Sequence, residues 1–224
     1  DMIMEMSAFE KVLKKHKVEV YRPHVLKDVN QIFARDIGFV IEDKFIRSNI
    51  LPNRIEELDA IAHVYEQVDR SNRIIPPEEV HVEGGDVMPW NEFIFVGVYR
   101  GDDYADFITA RTNMEAVEFL RELFPDKKVL SFDLRKSNTD PRENALHLDC
   151  CFQPLGKDKA ILHRNGFLIE EEYRWLLDHF GPDNVFEISK QEMYEMNSNI
   201  FSIAEDVVVS ERSFTRLNAW LRDH

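Results

Sequence analysis

One unit recurs along this chain: an apolar strand, a short polar turn, a second apolar strand, an amphipathic helix and a further strand. A repeat of this kind folds as a string of like modules, each too small to bury its own apolar face and so packed on the next. Ile37 to Ile41 and Phe45-Ile46 flank Glu42-Asp43-Lys44, and Val80 to Met88 and Phe93 to Val98 flank Trp90-Asn91-Glu92. Leu146 to Leu155 and Ala160 to Leu162 flank Lys157-Asp158-Lys159, and Ile200 to Ile203 and Val207 to Val209 flank Glu205-Asp206. The turn centres Asp43, Asn91, Asp158 and Asp206 are 48, 67 and 48 residues apart. A stripe at helical spacing follows each hairpin: Ile55, Leu58, Ile61, Ala62, Tyr65 and Val68; Val117, Leu120 and Phe124; Tyr173, Leu176, Leu177 and Phe180; Phe214, Leu217 and Leu221. Extended runs close the first three units at 73–75, 128–132 and 184–188, and none closes the fourth. The chain opens on a helix (Met6, Phe9, Leu13) that leads to an extended Val18-Glu19-Val20 with no hairpin before it. This is the pattern of a repeat protein cut within a unit at both ends, and it predicts a longer natural polypeptide or absent terminal segments.

The 224 residues, 44% of them hydrophobic, suffice for one sizeable core, so residues 1–224 are expected to form a single domain. No stretch reaches the roughly 20 apolar residues of a membrane span, and the first residues lack the basic segment and cleavage site of a leader. With 28 basic and 42 acidic residues the formal charge is −14, which repels nucleic acid and anionic membranes and attracts small cations. The two cysteines, Cys150 and Cys151, are adjacent and poorly placed for a structural disulfide, so a cytoplasmic location is expected.

Three segments place polar groups where packing alone would prefer apolar ones. If Ala145 to Phe152 is a strand, alternation puts Leu146, Leu148, Cys150 and Phe152 on one face and His147, Asp149 and Cys151 on the other. A His-x-Asp pair alone is as readily a histidine satisfied by local hydrogen bonds. In Val80 to Val87, His81 and Glu83 share a face, and Gly84-Gly85 marks a bulge or a close approach, bracketed by the carboxylates Glu83 and Asp86. Asn30-Gln31-Ile32-Phe33-Ala34-Arg35-Asp36 enters the first hairpin; by itself it reads as a turn with a surface ion pair.

Together these segments resemble the pentein superfamily of arginine deiminases, dimethylarginine dimethylaminohydrolases, agmatine deiminases and amidinotransferases. Asn30 to Asp36 is similar to its Asn-x-x-Phe-x-Arg-Asp segment, Glu83 to Asp86 to its Glu-Gly-Gly-Asp strand and His147 to Asp149 to its His-x-Asp strand. Ala110-Arg111-Thr112-Asn113 resembles the Glu-Arg-Thr segment that opens a helix. The resemblance runs through the whole chain and implies an α/β propeller of ββαβ modules around a central channel, here incomplete at both ends. It also implies a guanidino-group hydrolase acting on arginine or a derivative through a covalent cysteine–amidino intermediate.

A guanidinium presents five donors in a rigid plane and needs acceptors on two edges. The resemblance assigns that task to Asp36 and Asp149, the amino-acid end to Asn30 and Arg111, and a ring beside the guanidinium to Phe33, with Asp86 near them. His147 would act as acid and then base, with Glu83 orienting it. The family's nucleophilic cysteine falls in a C-terminal segment beyond His224, so the 224-residue chain alone is expected to be inactive; Cys151 is a weaker candidate for the role. Nothing in the resemblance calls for a cofactor. Nor is a metal expected: His81, Glu83, His147 and Asp149 lack the spacing of zinc ligands. The partner implied is a small cationic guanidino substrate, and a homodimer is left open. An amidinotransferase, in which an amine outcompetes water, and a catalytically silent arginine-binding protein share the same motifs. The helical insertion usual in arginine deiminases has no room between Asp36 and His147, which favours a compact dimethylarginase-like or transferase-like enzyme.

Overall fold

The computed structural model describes residues 2–224. Helix α1 (Met2–Lys15) ends in a left-handed turn at Lys17 (φ 63°), where Val18 N donates to Leu13 O and Lys17 N to Lys14 O, satisfying its last carbonyls. Val18-Glu19-Val20, expected to be extended strand, joins no sheet among the described residues; the segment reaches the next layer through His24 N donating to Ala60 O.

Three complete ββαβ modules follow. The first is β1 (Gly38–Ile41), β2 (Lys44–Arg47), a helical stretch containing α2 (Ala62–Tyr65), and β3 (Arg73–Ile74). The second is β4 (Val87–Trp90), β5 (Phe93–Val98), α3 (Met114–Leu123) and β6 (Lys128–Asp133). The third is β7 (Phe152–Leu155), β8 (Lys159–Leu162), α4 (Glu170–Phe180) and β9 (Val185–Glu187). After the short α5 (Lys190–Tyr194), the hairpin β10 (Phe201–Ala204) and β11 (Val207–Val209) leads to α6 (Thr215–Asp223). In each complete module the hairpin is antiparallel and the last strand joins its second strand in parallel, the handed crossover that a helix between them requires.

The sequence dictates these elements locally. Asn91 takes φ 52° at the tip of the β4–β5 turn, a conformation asparagine tolerates. The Asn113 side chain caps α3 by accepting from Ala116 N, and Phe124-Pro125 stops the helix, since proline disfavours helical geometry in the residue before it. Three glutamates begin α4, and Gly181 (φ 83°) ends it. Ala116, Val117 and Leu120 face their own sheet, while Tyr173, Leu176 and Phe180 join Phe93, Phe95, Phe132 and Phe152 in a core shared by the second and third modules. A further cluster, from Leu155 and Ile161 to Phe186 and Leu217, joins the third module to the last hairpin and helix. Consecutive modules are thus joined by shared cores, and the sheets form an α/β propeller whose ring is not closed.

Two expectations need correction, and both bear on the site. The helix expected along Ile55 to Val68 is instead a 3₁₀ stretch, Pro52–Ile61, followed by the single α-turn of α2. In a 3₁₀ helix side chains three apart eclipse, which stacks Arg54 on Glu57 in a two-pronged pair (2.8 and 2.9 Å). The long strands expected at Val80 to Met88 and Leu146 to Leu155 are interrupted by 3₁₀ turns at Gly84–Asp86 and Leu148–Cys150. The second turn breaks the period of two, so Cys151 packs in the core with Leu148 and Phe152, and Cys150 faces the central cavity.

Candidate active site

A cavity of about 2180 Å³ runs through the middle of the modules. It is larger than a site for one small ligand, roughly 300–1,000 Å³, so any such site occupies only part of its wall. Asn30, Phe33, Arg35, Asp36, Arg111, His147 and Asp149 all line it. Glu83 and Asp86 are fully buried behind that wall.

Asp36 sits in the turn before β1, where its N–H donates to Phe33 O and its carbonyl accepts from Gly84 N (3.1 Å). Only glycine permits that approach: a Cβ on Gly84 would lie 2.1 Å from the Arg35 carbonyl oxygen. The close contact seats Glu83 beside Asp36. His147 arrives from the third module just before its 3₁₀ turn, and Leu148 N donates to Asp86 Oδ1 (2.8 Å), fixing that backbone. One ligand-type atom from each of Asp36, Glu83 and His147 lies within 4.8 Å of the other two. His147 Nε2 is 2.8 Å from Glu83 Oε2, and its Nδ1 is 3.8 Å from Asp36 Oδ1.

Two arginines share this cluster. Arg54 Nη1 donates to Asp36 Oδ2 (3.0 Å) and Glu83 Oε2 (3.1 Å), while Arg111 Nη1 donates to both Glu83 oxygens (3.1 and 3.0 Å). Asp149 Oδ2 accepts from Arg35 Nη1 (2.9 Å), and Cys150 Sγ lies 3.7 Å from Asp149 Oδ1. Thr112 Oγ1 accepts from Glu83 N and donates to Asp86 Oδ2, so both oxygens of Asp86 are bonded behind the wall rather than turned to the cavity. Asn30 and Phe33 are exposed at the mouth. His81 is turned away, its ring between Asp103 (2.8 Å) and Tyr104 (3.2 Å). The four residues His81, Glu83, His147 and Asp149 therefore do not gather. In the Asp36, Glu83 and His147 trio, arginine guanidinium groups already sit on the carboxylates, an environment that repels a metal ion.

Burial opposes charge on His147, but Asp86, the hydrogen bond to Glu83 and Asp36 outweigh it and push its pKa up to about 9. Burial would raise Glu83, yet His147, Arg111 and Arg54 hold it down at about 2. At neutral pH this is an imidazolium on a carboxylate. Burial pushes Asp36 and Asp86 up. A histidine with a raised pKa stabilises the fold fully below its unfolded value of 6.5 and loses that contribution as pH rises through about 9. Glu83 contributes fully above 4.5 and loses its share toward about 2, where Asp36 and Asp86 act in the opposite sense. On the alkaline side Lys136, which burial pushes down, acts in the opposite sense, so the test is a difference: between pH 6.5 and 9 the urea midpoint should fall relative to that of His147→Gln. A difference between the two that stays constant across this window would contradict the assignment.

Sequence reasoning missed three of these groups. Arg54 and Glu57 escaped because an acid and a base three apart read as an ordinary ion pair on a solvated helix face, with nothing local to show that the pair is turned inward. Lys136, whose Nζ donates to Ala145 O (3.0 Å) and Leu146 O (2.6 Å) directly before His147, lies in a polar loop that carries no signal.

The model for N,N dimethylarginine dimethylhydrolase, eukaryotic, matches residues 1–220. The chain is 28% identical over 207 residues to the uncharacterized protein YkgA of Bacillus subtilis (strain 168), covering 91% of this chain and 64% of that protein. Among solved structures, a dimethylarginine dimethylaminohydrolase variant in adduct with S-methyl-L-thiocitrulline superposes with a TM-score of 0.76 at 16% identity, over 98% of this chain and 77% of that one. The N-terminal domain of ArgZ, a cyanobacterial arginine dihydrolase bound to product, superposes at 0.72 and 19% identity, over 95% and 74%. The chain thus spans just under two thirds of its curated relative's length. With a match across nearly all its residues, this chain belongs to the N,N dimethylarginine dimethylhydrolase family of the pentein superfamily.

Proposed function

We propose that the chain forms the substrate-binding and acid–base part of a hydrolase acting on the guanidino group of arginine or an N-substituted arginine. The observation that carries this is the His147 ring, its Nε2 2.8 Å from the fully buried Glu83 carboxylate and its Nδ1 3.8 Å from Asp36, on the wall of a channel in an acidic protein. Asp36 and Asp149 supply acceptors for the two edges of a guanidinium, and Phe33 offers a ring at the mouth. Asn30 and Arg111 serve the amino-acid end; Arg111 must release one of its two Glu83 contacts to do so. Asp86 supports the site from behind.

In the reaction, a nucleophile adds to the guanidinium carbon and His147 gives its proton to the departing amine. The neutral imidazole then takes a proton from water as that water adds to the same carbon, and the bond from that carbon to the nucleophile breaks, freeing the nucleophile and the ureido product. Glu83 stabilises the charged histidine and sets its orientation. The covalent step requires a thiolate, and burial holds both Cys150 and Cys151 as thiols. Binding without turnover is the behaviour proposed for the 224-residue chain. Calorimetric titration with L-arginine and N-methylarginine tests the binding half, with Asp36→Asn and Asp149→Asn as the informative variants.

A further inference from the structure

Both carboxylates proposed to receive the substrate already hold a guanidinium of this chain, and the two residents are held very differently. Arg54 makes four charge-assisted contacts of 2.8 to 3.1 Å, to Glu57, Asp36 and Glu83, and is largely buried. Arg35 has one such contact, to Asp149 Oδ2 at 2.9 Å, and a long one to Ile200 O at 3.3 Å. Its side chain retains 35% of its exposure and lines the cavity, whereas Asp149 retains 5%. A ligand approaching Asp149 from the channel therefore meets the Arg35 guanidinium first. The backbone of Arg35 is wedged against Gly84, so displacement falls to its side chain. The two arginines divide the work: Arg54 is fixed architecture, and Arg35 is the exchangeable group.

The geometry points to Arg35 as an internal competitor of the ligand, a guanidinium that occupies Asp149 through one charge-assisted contact until a cation that pairs better with Asp149 takes its place. This rests on the assignment of Asp149 to the substrate guanidinium. The exchange is nearly isoenergetic for a guanidinium, which offers Asp149 the same donors. A compact ammonium, which cannot pair with a carboxylate through a planar fork, gains less from Asp149 whether or not Arg35 is present. Arg35 thus lowers the affinity of every cation by the same factor, the cost of its own release, and sets the threshold that a ligand's pairing with Asp149 must pass.

The test is calorimetric titration of the 224-residue chain with methylguanidine and with methylammonium at low ionic strength. Arg35→Gln is expected to bind methylguanidine at least fivefold tighter than the unmodified chain and to bind methylammonium tighter by a similar factor. Arg35→Lys, which keeps the charge but loses the second anchor on Ile200 O, should bind methylguanidine two- to threefold tighter. It also carries the test if the glutamine variant does not fold. Equal or weaker methylguanidine binding by a folded variant overturns the role and leaves Arg35 as a clasp between Asp149 and Ile200. A different failure belongs to the site itself: if Asp149→Asn binds methylguanidine as tightly as the unmodified chain, Asp149 is not the acceptor, and the gate falls with it.

Discussion

Replacing Glu83 with glutamine is expected to cost the protein about 3 kcal/mol of stability or more, the range seen when one partner of a buried ion pair is removed. Glu83 Oε2 accepts from His147, Arg54 and Arg111, and the residue has no solvent exposure. Glutamine keeps the shape but removes the charge that these groups surround. Arg54 retains Asp36 and Glu57, so the uncompensated charge falls mainly on His147 and Arg111, and the imidazolium pKa should drop with it. Urea denaturation with an unchanged m-value measures the loss, and a cost under 1 kcal/mol would show that Glu83 is not the hub of the cluster.

Thiol chemistry should show the second large effect. Burial pushes Cys150 and Cys151 far up, and each unit of upward shift removes a factor of ten in thiolate. Alkylation by iodoacetamide at pH 8 is expected to run roughly a thousandfold slower on the native chain than in denaturant. Under the same conditions arginine and N-methylarginine should give no citrulline above background. Fast labelling of Cys150, which faces the cavity beside Asp149, together with citrulline production would make it a nucleophile and overturn the division between binding and covalent chemistry.

The modular fold was legible because each hairpin and helix expresses its own periodicity: β5 is buried throughout as a central strand, and α3 and α4 bury one face of their apolar stripes. What the period could not reveal was where it stops. The 3₁₀ turns at Gly84–Asp86 and Leu148–Cys150 end their strands early, and alternation carried through them puts the wrong cysteine beside His147. The juxtaposition of Asp36, Glu83 and His147 came from the order of motifs rather than from any local rule, since 47 and 64 residues separate them in sequence. Arg54 was invisible for a related reason. Its pairing with Glu57 is local, but its role depends on Asp36 and Glu83, two carboxylates from other segments that its own surroundings do not announce.

The gripping of a flat cation by carboxylates from separate modules is tested most directly by titrating L-arginine into the 224-residue chain and its Asp36→Asn and Asp149→Asn variants. Saturable heat that weakens at least tenfold in both variants, each still folded, is the expected result. Arginine affinity unchanged by both substitutions would contradict it.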